Sequence, residues 1–144
     1  MTPITIRLDQ GDKTAINIRH HTVIVDELIQ DGGTDEGPTP MEILLGTVGA
    51  CVAVTTQAYA KRKNWPLEGV SVELDMERIK SADYPSYTGD APFIHEIREA
   101  IHFDGPLSDE QRERLMVIAG KCPVHLTLEN PVFFVEMKPE ADKT

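Results

Sequence analysis

The sequence predicts an α+β domain in which an antiparallel sheet wraps a long central helix. Two observations lead to this prediction. One run, from Pro40 to Asn64, has the length and punctuation of a long helix, and short alternating segments precede and follow it. At 144 residues with 40% hydrophobic content, the chain has the size of one domain with a substantial core. We therefore treat residues 1–144 as a single domain.

The ends of the central run carry helix signals. Thr39 can cap the start, and Pro40 suits the first helical position. Residues 61–63 place three cations in the last turn, where they complement the helix dipole. Asn64 can adopt the left-handed conformation that ends a helix.

The middle of this helix, Ile43 to Val54, is apolar almost all round, which is typical of a helix buried on every side. It falls short of the roughly 20 apolar residues of a membrane span, so we interpret it as a core helix. A stripe of small residues runs along it, and it has two explanations: close packing on a sheet, or a second copy of the helix crossing at short range. One sheet of this size cannot cover such a helix alone, so a partner subunit is expected. The stripe comprises Gly46, Gly49, Ala50 and Ala53.

Three strands are predicted before the helix, in segments 4–8, 15–18 and 21–26, and they form a meander. The run from Glu27 to Pro40 contains three glycines, two prolines and four acidic residues, which indicates a loop. We interpret the acid-rich segment 26–36 as a solvated part of that connection.

The second half of the chain continues the mixed pattern. Strands at the beginning, middle and end of the chain can share one antiparallel sheet only if something covers its apolar face, and the apolar central helix is the obvious cover. The predicted elements are strands at Val70 to Met76 and Phe93 to Phe103, a helix from the capping box at Ser108 to about Gly120, a short helix or turn opened by Cys122-Pro123, and a closing strand at Pro131 to Lys138.

Composition excludes several classes of function. The net charge of −10 and the pI near 4.8 argue against nucleic acid and against an anionic membrane surface as partners. The two cysteines match no metal-ligand spacing, so we expect neither a metal nor another cofactor. No secretory signal is visible after Met1, which makes the cytoplasm the expected compartment. There a cysteine pair favours catalysis or redox chemistry over a structural disulfide.

Of the two cysteines, Cys122 has the more interpretable surroundings. If Pro123 begins a helix, Cys122 is its N-cap, and the free amides together with Lys121 stabilise a thiolate there. Cys51 lies mid-helix and needs a cation from elsewhere in the fold. Taken alone, each cysteine is more simply interpreted as a small buried hydrophobe.

Three separated motifs resemble the OsmC/Ohr family of osmotically inducible and organic-hydroperoxide-resistance proteins. They are GPTPMEILLGTVGAC at residues 37–51, YAKRKNWPLEGVSVEL at 59–74, and the pairing of LSDEQR at 107–112 with KCPVH at 121–125. Their order matches the family, and the resemblance extends from about His21 to Val135.

The resemblance implies an intertwined homodimer whose two central helices cross inside the sheets of both subunits, with active sites at the interface. It also implies a thiol peroxidase that protects against oxidative or osmotic stress. Cys51 would attack an organic hydroperoxide or hydrogen peroxide and become a sulfenic acid, and Cys122 would condense with it to a disulfide. The implied reductant is a lipoyl-bearing protein or another dithiol.

The chain departs from the peroxidase branches of this family at one position. Those branches have a glutamate ten residues before the first cysteine, where it positions an arginine against the thiolate, and Met41 stands there in this chain. Glu42 points about 100° away around the helix. Of the arginines Arg7 and Arg19, we select Arg19 as the thiolate partner. The departure leaves an alternative open, a non-catalytic dimer that binds a small ligand or senses redox state.

Overall fold

The computed structural model describes residues 3–137, and it confirms the mixed α+β class with antiparallel strands and one long helix. The chain divides into two compact units. One contains the residues up to 50 together with 72–100, and the other contains residues 51–71 together with the chain from 101 onward. The elements are β1 (Thr5–Leu8), β2 (Thr14–Ile18), β3 (His21–Val25), α1 (Pro40–Lys63), β4 (Gly69–Lys80), β5 (Phe93–Asp104), α2 (Asp109–Ala119) and α3 (Pro123–Glu129).

The N-terminal meander is confirmed. Strands β1, β2 and β3 pair in sequence order, and both pairings are antiparallel. Ile16 in the middle strand faces Ile6 on one side and Val23 on the other. Stacking β-branched residues across neighbouring strands in this way stabilises the sheet.

The segment after β3 is held by a buried carboxylate, so our interpretation of Asp26 as part of a solvated loop is wrong. Asp26 is 1% exposed. It accepts hydrogen bonds from the backbone N–H groups of Glu27, Thr34 and Glu36 and from the Thr34 hydroxyl at 2.5 Å. These donors, the Thr34 hydroxyl foremost, lower the pKa of Asp26 to about 2. The ionised Asp26 side chain therefore holds together the loop that leads to α1, because it bonds to several backbone amides of that loop.

Helix α1 begins and ends where the sequence predicts. Thr39 accepts a hydrogen bond from the Glu42 amide at 3.3 Å, and the Glu42 carboxylate accepts one from the Thr39 amide at 2.7 Å, so the two residues form a reciprocal cap. Asn64 adopts a φ of 53°, the left-handed conformation that terminates the helix.

The chain alone does not bury α1 on every side, in line with the expectation that one sheet of this size cannot cover the helix. Of the most apolar 18-residue window, 22% is buried, and Val54 is 69% exposed. By length and composition the helix would also satisfy the criterion for a membrane span, because alanines and threonines extend the stretch of low polarity beyond Val54. A methyl group on Gly49 would lie 2.9 Å from the Leu74 side chain, so this glycine packs closely on β4, whereas Gly46 has nothing within 4 Å of the equivalent point.

Strands β4 and β5 form a hairpin that is separate from the first sheet. Its two ends are bracketed by backbone hydrogen bonds, from the Glu68 amide to the Asp104 carbonyl at 2.9 Å and from the Ser81 amide to the Pro92 carbonyl at 3.1 Å. Both strands match their predicted segments. Within residues 3–137 the strands form a three-stranded and a two-stranded sheet and do not share one sheet.

The second unit has its own core, formed by Ala60, Leu67, Phe103 and Leu115. Helix α2 begins with the predicted capping box, in which Ser108 and Gln111 exchange hydrogen bonds. The Arg112 guanidinium donates to the carbonyls of Phe103 and Gly105 and thereby ties α2 to the end of β5.

The predicted closing strand is not formed. Residues 131–137 are not paired with any strand, and Lys138 lies outside the described residues. Phe133 and Phe134 are 85% and 98% exposed. The sequence pattern is that of a strand, but no strand within residues 3–137 supplies its hydrogen-bonding neighbour.

Candidate functional site

Both cysteines belong to the second unit, and both are free thiols. Cys51 lies in the middle of α1 and is half-buried, whereas Cys122 is fully buried immediately before α3. The fold thus gives the two thiols different access to solvent.

Cys122 is the N-cap of α3, as predicted. Pro123 occupies the first helical position, and the Cys122 sulfur accepts a hydrogen bond from the backbone N–H of His125 at 3.2 Å. The sulfur therefore takes the position that a serine or aspartate oxygen usually fills at a helix start.

The expected thiolate at Cys122 is not stabilised on balance. Burial raises the pKa of the Cys122 thiol, and this effect outweighs the hydrogen bonds from the His125 and Val124 amides, which lower it. The nearby Cys51 side chain raises the pKa of the Cys122 thiol further. The expectation failed because the sequence shows the cap but not how deeply the cap is buried.

The same interaction shows that folding brings the two cysteines together from different halves of the chain. The Cys51 side chain lies close enough to Cys122 to raise the pKa of the Cys122 thiol. On its own helix, Cys51 Sγ lies 4.0 Å from the hydroxyl oxygen of Thr55. The sequence analysis missed Thr55, although its spacing of four residues from Cys51 places both side chains on one helix face.

Comparison with known proteins fits this geometry. A family model described as OsmC-like protein matches residues 33–136, most of the chain. The chain belongs to the OsmC-like protein family. No curated protein matches it.

Solved structures share the OsmC-like fold at low sequence identity. An OsmC-like protein from Mycoplasma pneumoniae is 20% identical with a TM-score of 0.70, and the alignment covers 88% of this chain and 86% of that one. An organic hydroperoxide resistance protein OsmC from Legionella pneumophila is 16% identical with a TM-score of 0.63, over 89% and 90% of the two chains. The organic hydroperoxide resistance protein OhrB of Bacillus subtilis is 16% identical with a TM-score of 0.60, over 87% of each chain.

In this OsmC-like chain the selected arginine lies in the first unit. Arg19 occupies the turn between β2 and β3, with a φ of 55° and an exposed side chain. Among residues 3–137, its guanidinium has no hydrogen bond or ion pair. Arg7, the other candidate, pairs with Asp9 at 2.7 Å. The assignment of Arg19 to the Cys51 thiolate stays a prediction.

The position of the family glutamate is occupied by an exposed side chain, Met41, which is 44% exposed. The neighbouring Glu42 is engaged in the cap with Thr39. Met41 has no carboxylate, and the carboxylate of Glu42 is already bonded to the Thr39 amide, so neither residue takes the place of the family glutamate.

His125 has a local partner. Its Nε2 lies 3.2 Å from the Glu129 carboxylate one turn further along α3. The contact of His125 with Cys122 is made by its backbone amide, and its ring pairs with Glu129. Within the described part of the chain, no three His, Cys, Asp or Glu side chains converge as metal ligands.

Proposed function

We propose that this protein is a cysteine-based peroxidase that reduces organic hydroperoxides or hydrogen peroxide in defence against oxidative or osmotic stress. The observation that supports this most is the pairing of two distant thiols in unlike surroundings. One thiol is half-exposed on a helix, and the other is buried with a raised pKa. Membership in the OsmC-like family and structural likeness to hydroperoxide resistance proteins support the same function.

The reaction divides between the two cysteines. The Cys51 thiolate attacks a peroxide oxygen, the O–O bond breaks, and the leaving alkoxide takes a proton to become an alcohol or water. Cys51 is then a sulfenic acid. Cys122 attacks that sulfur, a disulfide forms, and water leaves. A dithiol returns both residues to thiols and is itself oxidised to a disulfide.

The environments suit these roles. Only the thiolate is a competent nucleophile, and peroxide must reach it, which favours the accessible Cys51. Cys122 stays protonated and shielded while it waits for the sulfenic acid. A buried neutral thiol is protected from direct oxidation by peroxide.

We further propose that the active protein is a homodimer. A chain in water would expose the apolar side of α1 at Val54 and the aromatic side chains of Phe133 and Phe134. A second copy would cover these surfaces, and the open space at Gly46 admits a close helix crossing. Arg19, exposed in its turn, is our candidate for the cation that stabilises the Cys51 thiolate.

The cellular setting follows from the chemistry. Two free thiols are suited to a reducing compartment, so we place the protein in the cytoplasm. A dithiol or a lipoyl-bearing protein would supply the electrons. No part of this cycle needs a metal, another cofactor, nucleic acid or a membrane.

Met41 favours a second candidate function, a dimeric module that binds a small ligand or senses redox state without turnover. Without the family glutamate, an arginine near Cys51 lacks its usual support. The thiol pair could then form and break a disulfide slowly, as a sensor does, without rapid peroxide reduction.

The deciding experiment measures consumption of cumene hydroperoxide and hydrogen peroxide with dithiothreitol or a reduced lipoyl donor. We expect wild type to turn over, Cys51→Ser to be inactive, and Cys122→Ser to accumulate sulfinic or sulfonic acid at Cys51 by mass spectrometry. Thr127→Ser is a matched control, since it changes an exposed residue of α3 outside the thiol pair. Absence of peroxide consumption by wild type with every dithiol would favour the binding module.

A further inference from the structure

The hydroxyl of Thr55 behaves differently from the other helix threonines whose bonds the structure describes. The hydroxyls of Thr47, Thr56 and Thr127 each donate to the backbone carbonyl four residues earlier, at 2.7, 2.9 and 2.8 Å. This is the usual arrangement of threonine inside a helix. Among the described hydrogen bonds, the partner of the Thr55 hydroxyl is the sulfur of Cys51, at 4.0 Å.

The comparison is informative because the carbonyl four residues before Thr55 belongs to Cys51 itself. The same residue offers the hydroxyl both a carbonyl oxygen and a sulfur, and the hydroxyl contacts the sulfur. Threonine in a helix divides between two side-chain rotamers, depending on where its hydroxyl bonds. At Thr55 the side chain therefore places its hydroxyl beside the thiol.

We propose that Thr55 is a positioning residue whose hydroxyl donates a hydrogen bond to the Cys51 thiolate. This inference rests on the proposed role of Cys51 as the nucleophile. With the neutral thiol, either atom can be the donor. Once the sulfur is ionised it can only accept, and a hydrogen bond to a charged acceptor is stronger than one between neutral groups.

A hydroxyl is valuable at this position because the usual support is missing. Met41 replaces the glutamate of the peroxidase branches. Among the hydrogen bonds described for residues 3–137, the side-chain partner of Cys51 is Thr55 and not a lysine or arginine. The titratable group that the structure places against Cys51 from another element is Cys122, at the start of α3. Its charge, when present, disfavours a second thiolate, so Thr55 is the favourable contact that the described residues provide.

The test measures the rate of iodoacetamide alkylation at Cys51 as a function of pH, by peptide mass spectrometry. All variants are made with Cys122→Ser, so that the second thiol does not titrate in the same range. Thr55→Val removes the hydroxyl at nearly constant shape, Thr55→Ala removes it without β-branching, and Thr55→Ser retains it. Thr47→Val is the matched control, four residues on the other side of Cys51, because its hydroxyl bonds to a carbonyl.

We expect Thr55→Val and Thr55→Ala to raise the midpoint of the alkylation profile by about one pH unit, the size expected for a lost hydrogen bond to a charged group. Thr55→Ser and Thr47→Val should keep the parent midpoint. An unchanged midpoint in whichever of the Val and Ala variants folds overturns the proposal, and so does an equal shift in Thr47→Val. Because alkylation needs no peroxide, this outcome is independent of whether the wild type turns over peroxide.

Discussion

The sulfur of Cys122 accepts a hydrogen bond from the backbone N–H of His125 at 3.2 Å, so one atom serves both as a helix cap and as half of the thiol pair. The cap holds the buried sulfur in place at the start of α3. Chemistry at Cys122 and stability of α3 are therefore coupled.

The coupling predicts a difference between two substitutions at this residue. Cys122→Ser keeps an N-cap acceptor, whereas Cys122→Ala removes it and leaves the His125 amide without its partner. We expect Cys122→Ala to be less stable than Cys122→Ser by about 1 kcal/mol, the usual value of an N-cap. Urea denaturation followed by circular dichroism measures the difference, and equal stability of the two variants would show that the cap contributes nothing.

A second prediction concerns acid stability and Asp26. Its pKa is lowered from 3.8 in the unfolded chain to about 2 in the fold, mainly by the Thr34 hydroxyl. The stabilisation is therefore complete above pH 3.8 and is lost as the pH falls towards 2. Asp26→Asn should lower the urea midpoint at pH 7, and its deficit relative to wild type should shrink across that interval.

Thr34→Val provides the control for this prediction. It removes the hydroxyl that contributes most to the lowered pKa of Asp26 but leaves the backbone donors in place. We expect its loss of stability at low pH to be smaller than in wild type and to be complete at a higher pH, because without this hydroxyl the pKa of Asp26 in the fold lies closer to its value in the unfolded chain. A constant deficit of Asp26→Asn from pH 7 to pH 2 would contradict the assignment of the low pKa to this loop.

The sequence predicted those features that local chemistry decides. The cap at Thr39, the left-handed Asn64, the capping box at Ser108 and the helix start at Pro123 follow from residue types at fixed offsets, and all are present. The burial of individual side chains could not be predicted from residue types in the same way. Asp26 and Cys122 look like a solvated acid and an ionised cap in the sequence, and only packing shows that both are buried.

The pairing of strands that are distant in the sequence also could not be predicted from local residue patterns. The segment 131–137 is rich in β-branched and aromatic residues like a strand, yet whether it becomes one depends on a neighbour that residues 3–137 of this chain do not supply. The contact of Thr55 with Cys51 was accessible from spacing, because residues four apart share a helix face. That the Thr55 hydroxyl contacts the Cys51 sulfur and not the Cys51 carbonyl oxygen could not be predicted from the sequence, since it depends on a side-chain rotamer.

The open space beside Gly46 leads to a third prediction, about assembly. A leucine there meets nothing within 4 Å of its Cβ position in one chain, so a monomer should tolerate it. In a dimer with crossing helices the same leucine would hold the helices apart. We expect wild type to be dimeric in light scattering and Gly46→Leu to be monomeric or aggregated, because Val54 would then be exposed to water.

Glu113→Leu is the control for the assembly experiment, since it adds the same side chain at an exposed position of α2. It should remain dimeric. A monomeric wild type at the concentrations used for activity measurements would refute the dimer, and a dimeric Gly46→Leu would place the interface away from this part of α1.

The last prediction distinguishes the two arginines of the N-terminal sheet. If Arg19 supplies the positive charge for the Cys51 thiolate, Arg19→Met should slow the reaction with cumene hydroperoxide by about tenfold or more at pH 7, because an opposite charge near an ionisable group shifts its pKa by roughly one unit or more. Arg7→Met is the matched control, since Arg7 is exposed and pairs with Asp9.

The rate loss of Arg19→Met should diminish as the pH rises, because alkaline solution restores the thiolate without help from a cation. A loss that is independent of pH would assign Arg19 to folding or assembly, and an equal loss in both variants would remove Arg19 from the site, since a general loss of positive charge would then account for it.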